Sequence, residues 1–191
     1  MRRTTLVFAV VLSAAACAHD DPATPPTDPS LASNGGHEHA ALADGKSIFR
    51  FDTFGDETFW TDTLHMHEVI RTAVSPKAAL SVGLKVDADA LPEAVKAAIA
   101  SGAVDLNAPA TTVTLLKLGA VVGVSGHVDD HGTLQRVGIT CALCHSTVDN
   151  SFAPGIGHRL DGWPNRDLNV GAIVSLSPVL TAAQKAVYGS W

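Results

Sequence analysis

The spacing of apolar residues in the first half of the chain predicts an amphipathic helix from Glu57 to about Val74. Apolar side chains recur there at intervals of three and four positions, which places them on one face of a helix. His67 falls within this apolar face, whereas His65 falls on the polar face. A histidine among apolar neighbours needs a partner, so His67 either bonds a backbone carbonyl at the edge of the core or ligates a metal.

Shorter elements are predicted on both sides of this helix. Residues 48–51 alternate in character and predict a short strand or extended piece. Pro76 and Pro92 each suit the first turn of a helix, because the missing proline N–H has no partner to lose there. Residues 110–118 fit either a helix or a strand, because many of them are β-branched.

A β-hairpin is predicted immediately before the most informative part of the chain. Residues 121–128 and 133–140 have strand character, and residues 129–132 (Asp-Asp-His-Gly) form a turn between them. The fold class predicted from these patterns is mainly α-helical with one β-hairpin.

The N-terminal residues 1–17 have the pattern of an export signal. Arg2 and Arg3 precede an apolar run at 6–12, and small residues follow up to Cys17. A cysteine after small residues resembles the acylation site of bacterial lipoproteins, which implies a lipid anchor on Cys17. Ordinary cleavage, leaving a secreted protein, is the alternative.

The chain after the signal divides into two parts. Residues 18–44 are rich in proline, aspartate and glycine and bury too little apolar surface to fold, so they predict a disordered tether. Residues 45–191 are long enough for one folded domain with a hydrophobic core.

Residues 141–145, Cys-Ala-Leu-Cys-His, have the C-x-x-C-H spacing of c-type haem attachment. One helical turn places Cys141, Cys144 and His145 on one side, so that two thiols reach the haem vinyl groups and the imidazole reaches the iron. A zinc site is less favoured because no second cysteine pair occurs. A thioredoxin-like pair is also less favoured, because the glycine-rich strands before Cys141 do not match its context.

Charge and cysteine count limit the classes of partner. The net charge of −6 becomes −8 without Arg2 and Arg3, which argues against a nucleic-acid partner and is compatible with a basic redox partner protein. Cys17 in a lipid anchor and two cysteines in thioethers leave no unpaired thiol for an oxidising compartment.

The segment after His145 resembles the haem-binding segment of c-type cytochromes. In that family, a proline carbonyl orients the proximal histidine, and Pro154 is the matching position. Arg159, Arg166 and Trp163 are candidates to hold haem propionates. A looser resemblance, to larger bacterial cytochromes of the dihaem peroxidase-like group, implies that the chain is a fragment of a longer one.

The sixth iron ligand is the least determined part of this interpretation. No methionine follows Met66, so the downstream methionine of small cytochromes c is missing. The candidates are His158, an upstream residue, a residue beyond Trp191, or no residue. We predict His67 or Met66 rather than His158, because the loop carrying His158 should pass along the proximal side.

Three functions remain open at this point. The first is an electron carrier with one covalent haem c, anchored in the cell envelope or periplasm through Cys17. The second is a haem enzyme of peroxidase type with an open iron position, for which His127 or His131 would be the acid–base group. The third is a non-haem binding lipoprotein.

Overall fold

The computed structural model describes residues 35–191, with side chains from Leu42 onward. The predicted export signal, the lipidation of Cys17 and most of the predicted tether lie outside the described residues. Residues His39–Trp191 form one compact unit. Its architecture is mixed, with short helices around three separate two-stranded sheets.

The helices are connected by short loops, and all but the first have fewer than ten residues. In chain order they are α1 Gly35–Phe51, α2 Met66–Ala73, α3 Pro76–Ser81, α4 Glu93–Ala100, α5 Pro109–Lys117, α6 Ala142–His145, α7 Val170–Ser175 and α8 Ala182–Gly189. No helix within residues 35–191 is both long and apolar enough to cross a membrane.

The strands are also short, and each sheet has only two of them. They are β1 Val86–Asp87, β2 Val124–Val128, β3 Leu134–Ile139, β4 Ser146–Val148, β5 Ile156–Gly157 and β6 Arg159–Asp161. Strands β1 and β5 pair in parallel, whereas β2 pairs with β3 and β4 pairs with β6 in antiparallel fashion.

The predicted β-hairpin is confirmed as β2 and β3. Val124 pairs with Ile139 near the open end, and the Asp129 carboxylate accepts hydrogen bonds from the backbone N–H groups of His131 and Thr133 at the turn. Residues 110–118, for which helix and strand were both open, are mostly helical in α5.

The extended conformation predicted for residues 48–51 is wrong. Residues 48–51 are helical rather than extended, and α1 also includes residues 35–44 of the predicted tether. Four residues are too few to distinguish the periodicity of a helix from that of a strand. The alanine-rich run at 40–43 favours a helix. Phe49 packs against the buried side chains of Val122, Ala142 and Val148.

The single helix predicted over 57–74 is interrupted in the structure. A π-helical turn at Thr58–Thr63 is followed by His65 in the left-handed region (φ 53°), and α2 begins only at Met66. The buried Thr61 side chain explains the interruption, because its hydroxyl donates to the Val137 carbonyl (2.9 Å) and accepts from the Val137 N–H (2.8 Å). Bonds to another element thus outweigh local helical preference.

Besides the cluster that Phe49 joins, two hydrophobic clusters hold these elements together. The larger one joins α5, the loop after it, β3 and the β1–β5 sheet. The smaller one joins α2, β3 and α7 through Leu64, Met66, Val137 and Val174. The C-x-x-C-H turn lies directly after β3, so both clusters support it through the hairpin.

Candidate functional site

The C-x-x-C-H motif forms one short helical turn with two contrasting faces. Cys141, Cys144 and His145 are exposed, whereas Ala142 and Leu143 are 0% and 5% exposed. The Cys141 carbonyl accepts a hydrogen bond from the His145 N–H (3.2 Å), and both cysteines are free thiols. The three chemically reactive side chains therefore leave the turn on its outward side, as the spacing predicts.

The inner side of the turn is fixed by a close approach to β2. A Cβ atom on Gly123 would lie 2.1 Å from the Leu143 nitrogen, and the φ angle of Gly123 is 75°. The Gly123 carbonyl also accepts from the Thr140 N–H (3.0 Å), and the Thr140 carbonyl accepts from the Leu143 N–H (3.0 Å). Only glycine satisfies this arrangement, since any side chain would displace the turn.

The outer end of the turn is held by the loop at residues 162–165. The Gly162 N–H donates to the His145 carbonyl (2.8 Å), and the Asn165 N–H donates to the Cys144 carbonyl (2.9 Å). Trp163 lies between these two anchored residues with 63% of its surface exposed.

Asn165 contributes to the site in a way that sequence reasoning missed. Its side-chain nitrogen donates to the Gly83 carbonyl (2.9 Å), which ties the loop after β6 to the loop after α3. Its Oδ1 is buried and has no hydrogen-bond partner within the described residues. In the sequence it reads as an ordinary turn asparagine between Pro164 and Arg166, so no signal distinguished it.

The orienting bond predicted between Pro154 and His145 is not formed. The His145 ring has no hydrogen bond to any described residue, and Pro154 lies in the turn between Ala153 and Ile156. That turn borders a groove beside Leu80 and Lys85 rather than the His145 ring. The β-turn geometry, which pairs Ala153 with Ile156, places this carbonyl elsewhere.

Met66, one predicted sixth ligand, is buried in the core beside the turn. It is 4% exposed and lines an entirely apolar cavity of about 60 Å³ together with the inward-facing Leu143. A volume of that size holds about two water molecules and is far too small for a porphyrin. Met66 therefore belongs to the core that α2 forms with β3 and α7.

His67, the other predicted upstream ligand, is half-buried on α2. Burial lowers the pKa of His67, and its Nδ1 is enclosed without a hydrogen-bond partner among the described residues. Its ring centroid lies 6.2 Å from that of His65. The bond to a backbone carbonyl, the alternative to iron ligation, is not formed by Nδ1.

His158 is engaged away from the motif. Its Nδ1 lies 2.8 Å from an Asp89 carboxylate oxygen. Ser146 pairs with Asp161, and the Asp149 N–H donates to the His158 carbonyl. His158 therefore lies opposite Asp149, which is four residues along the strand from His145. That separation is about 13 Å.

Arg159, a predicted propionate contact, instead forms a buried cluster with Asp161. Its Nε donates to Asp161 Oδ1 (2.7 Å), while Arg50 Nε donates to Asp161 Oδ2 (2.7 Å) and Ser146 Oγ to Oδ1 (2.8 Å). Burial raises the pKa of Asp161, but these hydrogen bonds and both arginine charges outweigh it, so the pKa lies below its usual value. Arg166, another predicted propionate contact, is exposed.

The histidines considered as peroxidase acid–base groups are remote from the motif. His127 pairs with Arg136, which is five strand positions before Cys141, or about 17 Å away. His131 lies farther out, at the exposed hairpin turn. The hairpin therefore carries both histidines away from the turn that it supports.

A metal site built from several side chains is not evident in the described part of the chain. No group of three or more histidine, cysteine, aspartate or glutamate side chains is placed there to hold a metal ion. A c-type haem needs no such group, because the two thiols bond carbon atoms of the porphyrin and one imidazole ligates the iron.

Comparison with family models, with curated proteins and with solved structures finds no match to this chain. The functional interpretation therefore depends on the residues of the site alone.

Proposed function

We propose that Cys141 and Cys144 attach one haem c covalently, that His145 is its axial iron ligand, and that the protein transfers single electrons in the cell envelope. The observation that carries this proposal is the outward face of the α6 turn. It presents two free thiols and an imidazole that has no hydrogen bond to any described residue, all exposed and within five residues. When bound, haem supplies an iron centre that exchanges one electron at a time.

The chain holds this face in a defined position before any group is attached. The contact of Gly123 with Leu143 fixes the turn from behind, and the bonds from Gly162 and Asn165 fix its carbonyl end. A ligand whose attachment atoms are already positioned loses little freedom on binding. These contacts support attachment without a large rearrangement of α6.

The exposure of the site favours transfer to another protein over catalysis in a closed pocket. Cys141, Cys144 and His145 line none of five cavities within residues 42–191. A redox centre at the surface shortens the distance to a partner, and the net charge of −6 favours a basic one. We also propose membrane anchoring through an acyl group on Cys17.

We propose His145 as the only iron ligand within residues 42–191. Met66 is buried in the core, and the Nδ1 of His158 lies against an Asp89 carboxylate oxygen. His67 lies on the same helix as Met66 and does not border the cavity behind Leu143.

The test is covalent haem incorporation in a bacterial host that carries the c-type maturation machinery. We expect the wild-type chain to retain haem after acid and denaturation. Its alkaline pyridine spectrum should be that of a haem with two thioether bonds. Cys141→Ala and Cys144→Ala should each lose one thioether, which shifts that spectrum, or lose haem altogether.

Cys17→Ala is the matched control, because it removes the third cysteine without touching the motif. It should retain haem fully. Absence of covalent haem in the wild-type chain, or full haem retention with an unchanged pyridine spectrum in both motif variants, would contradict the proposal. A stoichiometric zinc content in that case would identify the alternative metal.

A further inference from the structure

A small polar cavity lies between the end of α1, the end of α5 and strand β2. Its volume is about 190 Å³, equivalent to roughly six water molecules. The residues that give it polar character are Arg50, Lys117, Gly119, Ser125, Gly126 and Arg159. None of the three motif side chains lines it, so this cavity is distinct from the proposed haem site.

Arg159 is the most unusual residue of this cavity. Its side chain is only 4% exposed, and its Nη2 is enclosed without a hydrogen-bond partner in the described part of the chain. Only its Nε is bonded, to Asp161. A buried guanidinium with an unpaired N–H group lowers the stability of the fold, because the donor has lost its hydrogen bonds to water and gained none in the protein.

The neighbouring carboxylate cannot supply the missing partner. Asp161 already accepts bonds from Arg50 and Ser146 as well as from Arg159. One acidic side chain thus serves two guanidinium groups. Four donor atoms engage its oxygens, because Arg50 Nη2 also lies 2.6 Å from Oδ2, so a further acceptor for Arg159 must come from outside the cluster.

The charges around the cavity also do not balance. Arg50, Arg159 and Lys117 carry three positive charges, and Lys117 forms no ion pair with any described residue. Asp161 and the nearby Asp87 carry two negative charges. Burial lowers the pKa of Arg159, and the charge of Arg50 adds to this effect while those of Asp161 and Asp87 oppose it. One further negative charge would balance the group.

We propose that this cavity binds a small oxyanion of the phosphate class. The three cationic side chains come from three elements, α1, α5 and β6, and the Ser125 residue that lines the cavity comes from a fourth, β2. A tetrahedral oxyanion offers acceptor atoms in all these directions, whereas a carboxylate offers two in one plane. The volume excludes a nucleotide, since pockets for larger organic ligands start at about 300 Å³.

The experiment is calorimetric titration of the full chain with sodium phosphate at constant ionic strength, with sodium chloride as the reference anion. We expect saturable phosphate binding with one site per chain. Arg159→Gln should weaken it by about tenfold or more, because a charge-assisted hydrogen bond is lost. Lys117→Gln should weaken it by about twofold to fivefold, because this exposed charge is screened.

Lys77→Gln is the matched control, since it removes one positive charge on α3, outside this cavity. It should leave the phosphate affinity unchanged. If Arg159→Gln fails to fold, as judged by circular dichroism, Lys117→Gln decides the question. Three results would overturn the proposal: no binding beyond that of chloride, equal affinities of Lys117→Gln and wild type, or equal losses in Lys117→Gln and Lys77→Gln.

Discussion

The backbone of Gly123 packs directly against the backbone of Leu143, inside the C-x-x-C-H turn. A Cβ atom at Gly123 would lie 2.1 Å from the Leu143 nitrogen and 2.2 Å from its Cα. The first residues of the hairpin therefore act as the support on which the attachment turn rests. This contact joins residues twenty positions apart and determines the position of the motif.

We expect Gly123→Ala to destabilise the fold by roughly 2 to 4 kcal/mol. The substitution combines a left-handed backbone angle with a steric clash against backbone that has no freedom to move away. Urea unfolding followed by circular dichroism measures the change. The same variant should also incorporate less covalent haem, since the turn would be displaced.

Gly102→Ala is the control for the backbone angle alone. Its φ angle is 74°, but a Cβ there has no neighbour within 4 Å. It should cost only about 1 kcal/mol. Equal losses of stability in the two variants would show that contact with Leu143 does not matter.

Thr61→Val should be strongly destabilising although it preserves the shape of the side chain. Thr61 is 4% exposed, and its hydroxyl bonds both polar groups of the Val137 backbone. Valine leaves a buried N–H and a buried carbonyl unpaired, which costs about 2 to 4 kcal/mol. Thr63→Val, at an exposed position nearby, should cost less than about 1 kcal/mol. Chemical denaturation of both variants distinguishes them, and similar midpoints would refute the role of Thr61.

The Asp161 cluster should make the protein sensitive to acid. The pKa of Asp161 in the folded state is below its usual 3.8, so its contribution to stability is complete above that value and is lost as the pH falls through the folded pKa. As the pH falls below about 4, the unfolding free energy of the wild type should therefore decrease. Asp161→Asn should be less stable at neutral pH, because two arginines lose their partner, but should show a flatter acid dependence.

Asp130→Asn serves as the control for this acid dependence, because Asp130 is an exposed residue at the hairpin turn. Its profile of unfolding free energy against pH should parallel that of the wild type. If Asp161→Asn retained the full wild-type slope, other carboxyl groups would be responsible for acid sensitivity.

Met66→Leu should leave the optical spectrum of the haem-loaded protein unchanged. Met66 is buried with Leu64, Val137 and Val174 on the inner side of the attachment turn, where its sulfur faces the core. Leucine has a similar volume, so we expect a stability loss below about 1.5 kcal/mol. His145→Ala, by contrast, should alter the spectrum by removing the axial ligand. A spectral change in Met66→Leu would restore Met66 as the sixth ligand.

The interruption of the predicted 57–74 helix shows where sequence reasoning stopped. The apolar spacing correctly placed Met66 and Ile70 toward the core. The short helix α2 has the same helical period as the longer helix that was predicted, so its apolar face is the same. It gave no sign of the left-handed His65 or of the π-helical turn before it. Those features depend on bonds from Thr61 to Val137 and from Ser177 to the Leu64 carbonyl, which join distant parts of the chain.

The sequence by itself determined the hairpin and the outward grouping of Cys141, Cys144 and His145. Both follow from local rules: alternation with a turn signal between strands, and the three- and four-residue spacing of a helical turn. The residues around these side chains were decided only by the tertiary structure. Arg159 and His158 are close to the motif in sequence, yet Arg159 bonds Asp161 and His158 lies against Asp89, while the turn that pairs Ala153 with Ile156 places Pro154.

The physical reason is that pairing and burial act between segments whose register the local sequence does not encode. The pairing of Ser146 with Asp161 places Arg159 in a buried cluster with Arg50, more than one hundred residues earlier in the chain. The Nη2 of Arg159 is buried without a hydrogen-bond partner among the described residues, and Arg159 borders the cavity. Both features exist only because α1, α5, β2 and β6 meet there. No spacing within a single segment carries that information.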